Sequence, residues 1–224
     1  MKKRTGILAG AALLFACTAA KAQSTMSTSN AAKPVSVQIR AGVNFQNING
    51  KVAGVDADGD LLTAFHAGVE VPIMIAPEFY LQPGALYSMK GAKDKNSSDK
   101  TQISYVEVPI NFVYKPMLGM GNLILGVGPY VAFGIGGKLK SSSGDEDIKF
   151  DNDITLVQAA ADPYLKRMDF GGNLLAGYQL SSGLLFQLNA QLGMSNIFPK
   201  INGSSNNDYK LKNTGFGISL GYAF

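Results

Sequence analysis

From residue 35 onward the chain alternates apolar and polar positions with a period of two. In "VSVQIRAGVNF", Val35, Val37, Ile39, Ala41, Val43 and Phe45 share one face, and Ser36, Gln38, Arg40, Gly42 and Asn44 share the other. Such alternation predicts a strand with one apolar and one polar face. Seven more runs repeat it: "FHAGVEVPI", "FYLQPGALYSMK", "YVEVPINFVY", "LILGVGPYVAFGI", "DFGGNLLAGYQL", "LLFQLNAQLGM" and "GISLGYAF". The predicted set is eight strands of roughly ten residues, the length with which a tilted strand crosses a bilayer. Pro83, Pro109 and Pro129 lie inside these runs. Each lacks a ladder donor, so a bulge or a strand end is expected there.

The connections alternate in length. "MIAPE", "KPMLGMG" and "SSG" are short, whereas "QNINGKVAGVDADGD", "GAKDKNSSDKT", residues 137–168 and "FPKINGSSNNDYKLKN" are long and carry most of the charge. An even strand count places both ends of the chain on the short-turn side. Within the third long connection, "ITLVQAAADPYLKR" predicts a short helix ending near Asp162, before Pro163.

The rings on the apolar face fall into two groups. Phe79, Tyr114, Tyr178, Phe186, Tyr222 and Phe224 lie at the short-turn ends; Phe45, Phe65, Tyr87, Phe133, Phe170 and Phe216 lie at the long-loop ends. Strand propensity alone does not produce two belts. Membrane interfaces do. A soluble ligand-binding barrel would turn its apolar face inward. The belts and the loop asymmetry favour an apolar exterior instead. The expected fold is therefore all-β, an eight-stranded antiparallel up-and-down transmembrane β-barrel with turns in the periplasm and long loops outside the cell.

Charge adds a processing step. The opening "MKKRTGILAGAALLFACTAAKAQ" has a basic start, an apolar stretch and "AKA" before Gln23, the pattern of a secretory signal peptide cleaved after Ala22. Residues 1–22 hold four of the 20 Lys and Arg residues and none of the 16 Asp and Glu, so the remaining chain has 16 of each. The basic pI of about 9.0 belongs to the signal, and nucleic acid is not an expected partner. The expected organisation is signal peptide 1–22, flexible leader 23–34 and barrel 35–224, exported by a Sec-type route to the outer membrane. Cys17 sits in "LFAC", which poses lipidation against a small apolar signal residue; Phe15 and the downstream "AKA" favour the latter. With the signal removed there is no thiol chemistry.

Several segments together resemble the PorT-like outer-membrane beta-barrel (porin family) proteins of Gram-negative bacteria. They are "FYLQPGALYSMKG", "ISYVEVPINFVYK", "GVGPYVAFGIGGK", "MDFGGNLLAGYQL", "GMSNI" and "GFGISLGYAF", and they span about residues 35–224. The resemblance implies a small monomeric barrel. Its motifs are strand motifs and speak to fold rather than to activity. Phe224, with Ile218, Leu220 and Tyr222, resembles the signature read by outer-membrane barrel assembly machinery, which is then an expected partner beside outer-membrane lipid and lipopolysaccharide.

Candidate chemistry lies on the polar face. Arg40, Glu70, Lys90 and Glu107 suggest a salt-bridged lumen, since burying any of them unpaired is costly. Tyr80, Tyr105 and Tyr130, with Asn111, Asn173, Gln187, Asn189 and Gln191, complete a hydrogen-bonded filling. Eight strands leave just enough room for side chains, so a plugged lumen is expected, against a narrow gated pore with these charges as its selectivity ring. His66 is the single histidine and shares this face with Glu70. A barrel hydrolase would need a serine beside it, and no nucleophile motif is present; a polar rim histidine is the expectation. "DADGD" (Asp56, Asp58, Asp60) begins like a calcium loop, but Ala67 stands where the twelfth ligand belongs. Asp145, Glu146, Asp147, Asp151 and Asp153 are read as a solvated acidic loop, with weak divalent-cation binding as the alternative. No cofactor is expected. Three functions stay open: a structural, adhesion or interaction role through the loops, a narrow channel, and a hydrolase acting on lipid or peptide.

Overall fold

The computed structural model describes residues 36–52, 55, 56, 58–95, 97–202 and 209–224. The expected signal peptide, its Cys17 and the leader lie outside them. Eight long strands form the wall: β1 (Gln38–Val52), β2 (Leu62–Glu70), β3 (Phe79–Lys93), β4 (Lys100–Tyr114), β5 (Gly121–Ser141), β6 (Met168–Leu180), β7 (Leu184–Gly193) and β8 (Lys210–Ala223). Each pairs antiparallel with the next. β8 then pairs with β1, from Gln38↔Ala223 to Lys51↔Lys210. That last ladder closes the sheet and leaves no edge, the condition for strands in lipid.

The alternation read from the sequence sorts the two faces as expected for a membrane barrel. Ile39, Val43, Val69, Val108, Ile110, Val127, Leu174, Leu188, Ile218 and Leu220 are exposed on the outside, and the polar residues between them are buried inside. Both ring belts are present. Phe45 stacks on Phe216 at 5.1 Å and Phe65 on Tyr87 at 5.3 Å near the loop end. Phe79 stacks on Tyr114 at 4.9 Å, and Tyr222 meets Phe224 edge-on at 5.0 Å, at the turn end.

The prolines act differently from the expectation. Pairing of β3 with β4 skips from Pro83↔Ile110 to Leu86↔Glu107 without changing register, and β4 with β5 skips from Pro109↔Tyr130 to Phe112↔Val127 likewise. The missing donors open gaps in the ladder, not bulges. The bulge between β4 and β5 falls instead where Ser104↔Gly136 gives way to Tyr105↔Gly134, with Ile135 as the extra residue. After β2, Val71 and Pro72 interrupt the ladder, which resumes at Ile73–Ala76 before the turn at Glu78. Glu78 occupies the left-handed region at φ 67°.

Five strands run further toward the loop end than the sequence pattern suggested. β1 continues to Val52, β3 to Lys93 and β5 to Ser141, while β4 begins at Lys100 and β8 at Lys210. Beyond the upper ring belt the polarity of the wall reverses. Ile48 and Ile103 turn inward, and Lys51, Lys100, Lys138 and Lys140 turn outward. Water replaces lipid as the outer solvent there, so the apolar side goes in.

The third and fourth long loops fold together over this end. Gly144–Asp147 returns as a short strand along β5, placing Asp145 opposite Lys140 and Asp147 opposite Lys138. Lys149–Phe150 then pairs in parallel with Tyr164–Leu165, and Asp153–Ile154 with Lys200–Ile201. Between them lies the predicted helix, α1 (Leu156–Ala161). Thr155 caps it reciprocally with Gln158, and Asp162 and Pro163 end it. Ile148, Leu165 and Ile197 from these loops pack down onto Ile48, Ala92, Ile103, Ala132, Tyr105 and Tyr130, forming an apolar layer across the loop end of the lumen.

Candidate functional site

The four charges expected on the inner wall divide into two groups. The upper group centres on Lys90 of β3. Its ammonium lies 2.9 Å from Glu107 Oε2 on β4 and 3.4 Å from Asp169 Oδ2 on β6, all three side chains being buried. It also sits 4.0 Å from the centre of the Tyr130 ring. Asp169 takes donors from every side: Ser195 Oγ at 2.6 Å, Asn213 Nδ2 at 3.0 Å and Tyr130 OH at 3.3 Å. Gln191 Nε2 donates to Glu107 at 2.5 Å. Asn213 also reaches Tyr105 OH, at 3.5 Å. Low dielectric strengthens each of these bonds and makes each partner costly to lose.

The lower group lies at the turn end of β1, β2 and β3. Arg40 holds Glu70 with two nitrogens, each at 3.1 Å, and Gln82 Nε2 donates to Glu70 at 2.9 Å. Lys115, just beyond β4, faces the same carboxylate. Burial pulls the Lys115 pKa down to about 8 while the Glu70 charge pulls the other way. Its ammonium also lies 5.3 Å from the Tyr80 ring centre. Across the lumen, Val113, Ile124, Leu175 and Leu185 form an apolar cluster with Tyr80 against it.

Amides fill the space between. Asn173 donates to Asn111 at 2.9 Å, and Asn44 Nδ2 lies 3.4 Å from Ser88 Oγ. A Cβ at Gly217 would lie 2.6 Å from Asn44 Oδ1 and 2.9 Å from Asn189 Oδ1, so the glycine leaves the room that these two amide tips occupy beside β8. His66 is buried on this inner face, 3 % exposed, and is an enclosed lumen residue rather than an open rim one. Neither ring nitrogen has a hydrogen-bond partner among the described residues.

Asp169, Lys115 and Asn213 are members of this network that the sequence candidates lack; Asn213 closes the fourth long connection. Asp169 precedes Phe170 with inward parity, at the very start of its run. Lys115 opens the short connection "KPMLGMG". A charged residue that keeps the inward parity at the edge of a run or one step beyond it is the signal that finds Asp169 and Lys115.

A closed barrel with an apolar exterior, two ring belts and a polar filled lumen is the architecture on which a family comparison turns. The outer membrane protein beta-barrel domain family matches residues 9–224. The chain belongs to that family. It is an outer-membrane protein that crosses the bilayer with strands; among the described residues no helix is long and apolar enough to do so. No curated protein matches. Three solved barrels are similar to it. Ail, the attachment invasion locus protein of Yersinia pestis, has 11% identity over 85% of this chain and 99% of its own, at TM-score 0.42. Neisserial surface protein A has 8% identity over 84% and 97%, at 0.44. OprG from Pseudomonas aeruginosa has 16% identity over 85% and 96%, at 0.40.

In this outer-membrane barrel the remaining candidates fall in the loops. The side chain of Asp56 lies outside the described residues. Asp58 accepts from the Gly50 backbone at 3.3 Å, and Asp60 bridges Lys93 through its backbone. Among the described residues no cluster of three or more His, Cys, Asp or Glu side chains is arranged to hold a metal ion. Lys149 donates to Asp162 at 2.6 Å beside α1, and this bond raises the lysine pKa.

Proposed function

We propose that the protein is a closed outer-membrane barrel that anchors a folded extracellular cap, and that it acts by binding through that cap. One observation carries this reading. Ile148, Leu165 and Ile197 of the loops are built into the apolar layer over the lumen, above side chains that fill the interior. A pore needs a continuous polar path, and the aliphatic groups packed at the loop end argue against one. Local pairing within the cap supports the same reading. Two parallel ladders and the capped α1 hold it, so a binder meets a surface ordered in advance.

Within the family, the motifs quoted above favour a PorT-like barrel. The lipid-facing stripe Ile218, Leu220, Tyr222 and Phe224 on β8 is the segment proposed to be received by the assembly machinery, and lipopolysaccharide and lipid are the proposed surroundings of the wall. Planar-bilayer recording on the refolded chain tests the proposal. No stepwise current is expected. Regular steps abolished by Arg40→Ala or Glu70→Ala would establish the channel reading in its place.

A further inference from the structure

The cap contains a recess that the barrel itself does not need. It has a volume of ≈ 300 Å³ and lies between the upper ends of β4 and β5, α1 and the fourth loop. Leu139, Ile148, Ile154, Pro163, Leu165 and Phe198 supply most of its wall. Ile148, Ile154 and Leu165 are buried, so this part of the wall is held by packing. Hydrogen bonds fix the rest: Lys166 N to Ile197 O at 2.8 Å, Lys200 N to Asn152 O at 2.8 Å and Asn202 N to Ile154 O at 2.8 Å. A preformed apolar recess with few polar groups is the general form of a small-ligand site.

One charged residue borders it. Asp162 ends α1 and forms part of the wall of the recess. Its carboxylate already holds an ammonium, Lys149 Nζ at 2.6 Å, and both side chains of the pair are substantially exposed. An exposed pair of this kind is held loosely and exchanges readily. The recess thus offers an apolar wall and, at its margin, a carboxylate whose resident cation can swing into water.

We propose that this recess binds a small amphipathic ammonium compound, an aromatic or branched amine, with its apolar part against Ile148, Ile154 and Phe198 and its ammonium on Asp162 in place of Lys149. The inference rests on the reading of the cap as the working surface and names the chemistry that surface takes. Because Ile148 and Leu165 also belong to the layer over the lumen, the ligand would sit on the outer side of that layer.

Methyl NMR tests this on the mature chain in lipid nanodiscs, with benzylamine as the probe and benzyl alcohol as its neutral counterpart. Saturable shifts are expected at the Ile148 and Ile154 methyls, with the lipid-facing Ile39 and Ile218 as the baseline for partitioning into the bilayer. Benzylamine should bind several-fold more tightly than benzyl alcohol. Lys149→Ala should widen that preference and Asp162→Ala should remove it. Ala159→Trp, on a helix with no buried residue, should fill the recess and abolish the shifts while the protein keeps its heat-modifiable gel migration. Absence of saturable shifts, or unaltered shifts in Ala159→Trp, overturns the site. A preference that survives Asp162→Ala overturns the ammonium assignment. None of these results produces a channel current, so failure here and failure of the closed-barrel reading are separate outcomes.

Discussion

Lys90 of β3 and Asp169 of β6 meet inside the barrel at 3.4 Å, although 79 residues separate them in the chain. Their contact joins distant walls, and Ser195, Asn213 and Tyr130 converge on the same carboxylate. Removing one partner of such a buried group leaves charge or donors stranded, which costs about 3–5 kcal/mol. Asp169→Ala is therefore expected to lose stability on that scale in urea unfolding of the detergent-refolded protein. Ser195→Ala removes one donor to Asp169 and the acceptor of the Phe170 N–H, and should cost about 1–3 kcal/mol. An Asp169→Ala midpoint within about 1 kcal/mol of the wild type would show that the network is not what holds these walls together.

The cap hangs on Ile197. Its side chain is fully buried, its N–H donates to Leu211 O at 2.9 Å, and its carbonyl accepts from Lys166 N at 2.8 Å. Ile197→Ala keeps both backbone bonds and creates a cavity, at about 2–5 kcal/mol. That loss should fall on the cap alone, because the wall ladders do not pass through it. Limited proteolysis is expected to cut within 142–167 in the variant and not in the wild type, while both keep the folded gel migration. Equal protection of the two proteins would detach the cap from the apolar layer.

How far the chain could be read follows from where its solvent changes. Within the bilayer the outer face is uniformly apolar and the inner face mostly polar, so strand count, facing and ring belts are legible from period two. Above the upper rings the rule inverts. Asn44 and Gln46 point inward as polar residues, and two positions later Ile48 points inward as an apolar one. A pattern of one polarity per face ends there, which makes five strands shorter in the sequence pattern than in the structure. The division of the inner charges into two groups depends on strand stagger, and stagger is a property of the closed sheet rather than of any single run. α1 was legible because its signals are local: a Thr155–Gln158 box at one end and Pro163 at the other.

Lys115 gives the turn end a pH dependence. Burial lowers its pKa from 10.5 to about 8, so the unfolded chain holds this proton more tightly than the folded one. Stability should rise as pH increases through 8 toward 10.5, by about 3 kcal/mol in all from this group. Below pH 8 the lysine is charged in both states and its full penalty is present. Lys115→Met carries no such penalty, so it should be more stable than the wild type near pH 7 and converge with it near pH 10.5. Parallel urea titrations of the two proteins at these pH values isolate the group from other titrations. A constant difference between them across the range would rule the assignment out.

The seam between β1 and β8 tolerates no added bulk at Gly42. Gly42 pairs with Ser219, and a Cβ placed on it would lie 2.1 Å from the Ile218 carbonyl oxygen and 2.7 Å from the Ser219 Cα. Both neighbours are backbone atoms of the closing ladder, so they cannot rotate away as a side-chain tip would. Ala41, one residue earlier, faces outward. Gly42→Val should therefore hinder closure, whereas Ala41→Val should not, although the two changes sit side by side on one strand. Heat-modifiable migration after refolding into detergent reads closure directly. The expected result is an unshifted, unfolded band as the main species for Gly42→Val and a normal shift for Ala41→Val. A normal shift for both would mean that the strands part locally and that closure does not depend on backbone contact at this point.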